Sequence, residues 1–264
     1  MYKSVLKYVS RHSTARSIFG MFRNLESPEL HRELMNLQFR SPVGMAPGFD
    51  VSAEFYNSAG AAGCGFSIVG PLYFSRKGGI RDAVAAVRNN PPVNILIGFD
   101  ITKNPSSVSE DDIAKDYLDA YEYSYDFSDF TVLDFSDDSS AVHEMDFIKA
   151  VTDPLLESRL AFDNYNPLIL KLSPSLKKED LLPILDYCMM NGIDGVLLSS
   201  EAMVREASEF SKGRLPIIAE GRIGVVSRAL EFFDAGASLV ALQCSPIRFK
   251  TALPKAILKA LRKK

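Results

Sequence analysis

The sequence predicts a (β/α)8 barrel preceded by a short helical extension. Eight short apolar runs recur after residue 39, and helix-length segments separate most of them. The runs are nearly continuous in apolarity rather than alternating, as expected of parallel strands covered on both faces. The length, 264 residues, is what such a barrel uses in one piece. Residues 1–36 are expected to form the extension and residues 37–264 the barrel.

Taken in order, the extension begins with two amphipathic helices. Tyr2, Val5, Leu6 and Val9 fall on one helical face, with Lys3, Lys7 and Arg11 elsewhere; Ile18, Met21, Phe22 and Leu25 repeat the spacing. Pro28 fits the first position of a third short turn. The candidate strands are 43–46, 66–69, 95–97, 130–135, 168–172, 195–198, 216–219 and 239–242. Helical segments are expected at 53–62, 109–125, 141–160, 179–191 and 226–235, while 76–92 shows no clear helix. An open doubly wound sheet is the runner-up, but no GxGxxG follows the first strand.

Composition excludes several classes of function. With 47% apolar and 24% charged residues the chain is neither disordered nor fibrous. Thirty Lys+Arg against 33 Asp+Glu give a net charge of −3. Eleven acidic residues and one basic one between positions 110 and 138 argue against a nucleic-acid groove there. Cys64, Cys188 and Cys244 have no CxxC spacing, and His12, His31 and His143 are scattered, so no metal site is expected. The same sparse cysteines fit a reducing cytoplasm, no apolar run approaches the roughly 20 residues of a membrane span, and the start lacks a signal-peptide pattern.

A co-linear series of motifs resembles the dihydroorotate dehydrogenase family, and its quinone-using branch in particular. The series is LQFRSPVGMAPGFD at 37–50, AAGCGFSIVGP at 61–71, ITKNP at 101–105, PLILKLSPSL at 167–176, NGIDGVLLSS at 191–200, LPIIAEGRIG at 215–224 and AGASLVALQCSPIRF at 235–249. The resemblance implies FMN-dependent oxidation of dihydroorotate to orotate in pyrimidine synthesis. It implies FMN contacts at Ala46, Gly48, Asp100, Lys171, Ser199, Gly221, Arg222, Cys244 and Ser245. Lys171 falls where the family sets a cation against the flavin N1–O2 edge, and Asp137 falls at the place of the catalytic Ser or Cys base. For the helix pair it implies a quinone entrance and peripheral contact with the inner face of the cytoplasmic membrane. Seven Lys/Arg against three Glu in residues 1–40 favour an anionic lipid surface modestly, and a cap on the barrel bottom or a dimer contact is an equal alternative for the pair.

The departures bear on the same positions. Val51 stands where the family has a Lys after Gly-Xaa-Asp; VRNNPPVN at 87–94 replaces an Asn-rich substrate loop; Asp134 replaces an orotate-binding Asn; Arg222 replaces the second Gly near the phosphate. Asp134, Asp137 and Asp138 bring negative charge where a carboxylate substrate would bind. Two readings stay open on the residues alone. One is a flavoprotein oxidoreductase, with Asp137 as base and Lys171 on the flavin. The other is a catalytically silent barrel that binds a phosphorylated ligand or a protein partner, with the aspartates as loop residues and Lys171 paired to one of them.

Overall fold

The computed structural model describes residues 2–23, 28–75, 78–136, 144–243 and 253–264. Two helices open the chain, α1 (Tyr2–Arg11) and α2 (Ser13–Arg23). A hairpin of β1 (Arg32–Leu34) and β2 (Leu37–Phe39) follows. The barrel strands are β3 (Val43–Asp50), β4 (Phe66–Leu72), β5 (Leu96–Ile101), β6 (Phe130–Phe135), β7 (Leu168–Leu172), β8 (Gly195–Leu198), β9 (Ile217–Ala219) and β10 (Leu239–Leu242). They are all parallel and close in the order β10-β3-β4-β5-β6-β7-β8-β9. The (β/α)8 expectation therefore holds, and the open-sheet alternative does not.

Side chains alternate across each strand, so each contributes to two cores. Phe66, Ile68, Phe130, Val132, Ile169, Leu197, Ile218, Leu239 and Ala241 fill the lumen. The intervening positions face the helices α3 (Tyr56–Ala61), α4 (Ile80–Asn89), α5 (Glu110–Ser124), α6 (Met145–Arg159), α7 (Lys178–Asn191), α8 (Glu201–Ser211), α9 (Val226–Asp234) and α10 (Leu253–Leu261). The hairpin stoppers the amino end of the barrel, where Leu34, Met35, Leu37 and the fully buried Phe39 pack on the lumen residues.

Several local features differ from the sequence reading. The hairpin turns through Met35 (φ 53°) and Asn36 (φ 59°), a mirror-image turn without the glycine that would announce it. Helix α4 occupies part of the stretch that shows no clear helix. Its buried residues Ile80, Ala83, Val84 and Val87 have helical spacing, but flanking Gly-Gly and Pro-Pro pairs read as loop. Helix α8 was not among the expected helices. On α1, Leu6 and Val9 are buried, whereas Val5 is 46% exposed and does not share their environment. Packing on α3 takes a narrower stripe than the apolar residues span. Tyr8, Ile18 and Met21 also face solvent.

Candidate active site

The site is built by the last inward position of each strand. On β6 the inward residues run Phe130, Val132, Asp134; on β7, Ile169 then Lys171; on β5, Gly98 then Asp100. Glu220 directly follows β9, two residues after the inward Ile218, and Ser199 directly follows β8. One step of the pleat thus converts an apolar lumen into a charged mouth at the carboxyl ends of the strands, the end where barrels of this architecture carry their chemistry.

Lys171 is the hub. Its Nζ lies 2.7 Å from Asp134 Oδ2 and donates to it, and lies 3.6 Å from Asp100 Oδ2. Asp134 Oδ1 accepts from the Ser136 amide at 2.8 Å. Ser199 Oγ donates to Glu220 Oε1 at 3.2 Å. Neither oxygen of Asp100 has a hydrogen-bond partner among the described residues, and its side chain is fully buried. Burial pushes the Asp100 carboxyl well above the usual carboxylate range, and Lys171 offsets only part of that. Burial raises Glu220 as well, again against the pull of Lys171. Burial alone would lower the Lys171 ammonium, but the fields of Asp100, Asp134 and Glu220 outweigh it and hold the lysine charged. Among the described residues, three carboxylates therefore act on this one ammonium.

A turn follows immediately. Gly221 has φ +115°, and a Cβ there would stand 2.6 Å from the Ser199 carbonyl oxygen, so only glycine permits this approach. Arg222 adopts φ 51°, a left-handed conformation that a glycine takes without strain. Its side chain is exposed, and its amide donates to Gln243 Oε1 at 3.0 Å. Ideal Cβ atoms on Gly48 and Gly224 meet nothing within 4 Å. Ala46 is buried in the lumen. At the end of β3, Asp50 accepts from the amides of Glu54 (2.8 Å), Phe55 (2.7 Å) and Tyr56 (3.0 Å), which pins the following loop and the start of α3. Val51, in the family's lysine position, is 56% exposed.

Of the residues singled out in the sequence, Asp100, Lys171, Ser199 and Gly221 are brought together. Arg222 stands at the rim of the same turn. Asp137, Cys244 and Ser245 lie outside the described residues. Glu220 was missed, although a lone acid ending an apolar strand run, two positions after an inward isoleucine, is the signal that finds it. A groove of about 1280 Å³ lined by Arg16, His31, Arg32 and Arg40 among others opens at the opposite end of the barrel and touches none of these groups.

No family model matches the chain. Curated relatives do. A dihydroorotate dehydrogenase (quinone) from Christiangramia forsetii is 26% identical over 290 residues, covering 88% of this chain and 84% of the relative. The enzyme of the same name from Proteus mirabilis is 26% identical over 286 residues, covering 85% and 84%. Over most of its length the chain is similar to dihydroorotate dehydrogenases of the quinone type, as a divergent relative. A crystal structure of dihydroorotate dehydrogenase from Eimeria tenella in complex with ferulenol superposes with a TM-score of 0.78 at 18% identity, covering 99% of this chain and 91% of that one. An aldolase superposes less closely, with a TM-score of 0.56 at 14% identity, covering 84% and 93%. At such identities these two likenesses concern the fold alone. Set against the dihydroorotate dehydrogenase motifs, the mouth keeps the lysine and the first glycine of the phosphate turn. It departs at Asp134, Arg222 and Val51.

Proposed function

We propose that this chain is a dihydroorotate dehydrogenase-like barrel that binds a phosphorylated ligand at its mouth and does not oxidise dihydroorotate at an ordinary enzymatic rate. The observation that carries this is the capture of Lys171 by Asp134 and Asp100. The family resemblance assigns that cation to the flavin N1–O2 edge, where it stabilises the reduced anionic ring. Here its charge is already matched and outnumbered by the protein's own carboxylates. The carboxylate of dihydroorotate would add a fourth negative charge. At about 4 Å and an effective dielectric near 20, each like pair costs about 4 kcal/mol, roughly a thousandfold in affinity.

Whether FMN fits divides along the site. The phosphate end supports it: Gly48 and Gly224 leave open space, and backbone amides need no particular side chain to hold an anion. The ring end does not suit an anionic reduced flavin, because the lysine would have to leave two carboxylates to meet it. A phosphorylated ligand is therefore proposed, with no hydride step assigned. The test is a turnover assay on the purified chain with added FMN, dihydroorotate and a quinone. The expected result is no measurable orotate; turnover near an ordinary rate of about 10 per second overturns the proposal.

The helix pair supports a second role, contact with an anionic membrane surface. Val5, Tyr8, Ile18 and Met21 are exposed on α1 and α2 beside Lys3 and Arg11, and no helix among the described residues is long and apolar enough to cross a membrane. The pair is tied to the barrel by the ion pair of Lys7 with Glu54 and by Asn90 Nδ2 donating to Ser10 Oγ at 3.4 Å. Val5→Asp together with Met21→Asp is expected to abolish co-sedimentation with anionic vesicles and leave the melting temperature unchanged. Equal sedimentation of both proteins would contradict the role.

A further inference from the structure

We infer that the mouth selects a ligand whose edge presents hydrogen-bond donors, an amino-substituted nitrogen heterocycle joined to a phosphate, and rejects an edge of carbonyls or a carboxylate. This rests on the reading of the 221–224 turn as a phosphate site and names the ligand class for it. The first ground is an imbalance of donors and acceptors. Lys171 donates to Asp134, the Ser136 amide donates to Asp134, and Ser199 donates to Glu220. Among the described residues both Asp100 oxygens remain without a hydrogen bond, in a side chain of zero exposure; the ammonium at 3.6 Å is an ion-pair partner. Buried polar atoms are almost always hydrogen-bonded, so an acceptor that no described residue satisfies inside the site is matched to a donor on a ligand.

The second ground is placement. Asp100 is on the inward face of β5, and across the same lumen Glu220 precedes Gly221 directly in the chain. A molecule with its phosphate at the turn needs only a short reach to set a ring against Glu220, Lys171 and Asp100. The third ground is charge. Three carboxylates and one ammonium attract a positive or donor edge and repel an acceptor edge. The raised affinity of Asp100 and Glu220 for protons, caused by their burial, agrees with this, since a donor ligand meets the need that a proton otherwise meets. An aminopyrimidine edge offers an exocyclic amine that a carboxylate accepts from, and protonation of the adjacent ring nitrogen adds a second, parallel bond. A uracil-type edge puts a carbonyl in the place of the amine.

Cytidine monophosphate and uridine monophosphate isolate this difference, since they share the phosphate and the sugar. Calorimetric titration of each into the full chain is expected to show the cytidine nucleotide binding at least about 10-fold tighter, with inorganic phosphate competing. Asp100→Asn and Glu220→Gln, each close in shape to the original, are expected to shrink the preference to within about threefold. Equal binding of the two nucleotides, or a preference unchanged in both variants, overturns the inference while leaving the phosphate reading intact. If neither nucleotide nor FMN binds, the phosphate reading falls and the inference falls with it.

Discussion

The lower lumen and the mouth of this barrel are built by the same strands, one inward position apart, yet they obey opposite rules. In the lower lumen Phe39 and Phe66 meet edge to face at 5.7 Å and 88°, and Phe66 and Phe130 at 6.4 Å and 67°. Packing is so close that a Cβ on Gly98 would fall 2.1 Å from the Phe130 ring. Every group there is apolar and held by contact. In the mouth the same strands present Asp100, Asp134 and Lys171, and Glu220 follows β9 at the same level of the lumen. Those groups impose desolvation and mutual repulsion on the fold. The lesson is that the amino end carries the stability that the carboxyl end draws on, which leaves the mouth free to depart from its relatives while the scaffold stays theirs.

The contrast can be broken at either end, and the largest effect belongs to the lower lumen. Phe130→Ala is expected to cost about 3–5 kcal/mol in urea unfolding, because its neighbours are fixed by strand pairing and cannot collapse into the cavity. A loss below about 1 kcal/mol would mean that the aromatic cluster contributes little to the stability of the barrel. Next comes Lys171→Met, which removes a cation shared by three carboxylates and is expected to cost about 3 kcal/mol at neutral pH. The loss should shrink as the pH falls, because Asp100 and Glu220 take up protons more readily than ordinary carboxyls do.

Asp100→Asn should act in the opposite direction. A carboxyl whose folded value lies above its unfolded value of 3.8 binds more protons when folded, so it weakens the fold as the pH rises through that window. The variant is therefore expected to be more stable than the parent at neutral pH in urea unfolding. The difference should vanish below about pH 4, where both states of the parent are protonated. A variant less stable than the parent at neutral pH would show that Asp100 is a net stabilising partner of Lys171. The smallest effect is expected of Arg222→Gly. Releasing a left-handed arginine is worth about 1 kcal/mol, and glycine's extra freedom in the unfolded chain returns part of it, leaving a gain of about 0.5 kcal/mol in thermal unfolding.

The scaffold was legible because parallel strands buried on both faces write themselves as apolar runs; 130–135 and 168–172 coincide with β6 and β7 to the residue. The hairpin was not, because its turn uses Met35 and Asn36 where a glycine would have marked it. Helix α4 was obscured by the Gly-Gly and Pro-Pro pairs that flank it, which read as loop. Lys171 was legible as a mouth residue paired with an aspartate, and Asp134 as a departure. What the sequence did not convey is that Asp100 and Glu220, 120 positions apart, converge on the same ammonium. That convergence depends on barrel closure, which no local pattern encodes.

The central claim is that excess carboxylate, rather than any failing of the scaffold, decides what the mouth accepts. Calorimetric titration of orotate into the parent chain and into the Asp100→Asn, Asp134→Asn double variant tests it most directly. The account predicts no binding to the parent at millimolar orotate and at least about a 10-fold gain in the double variant, the effect of removing like charges about 4 Å from the ligand's carboxylate. Orotate binding to the parent as tightly as to the double variant would contradict it.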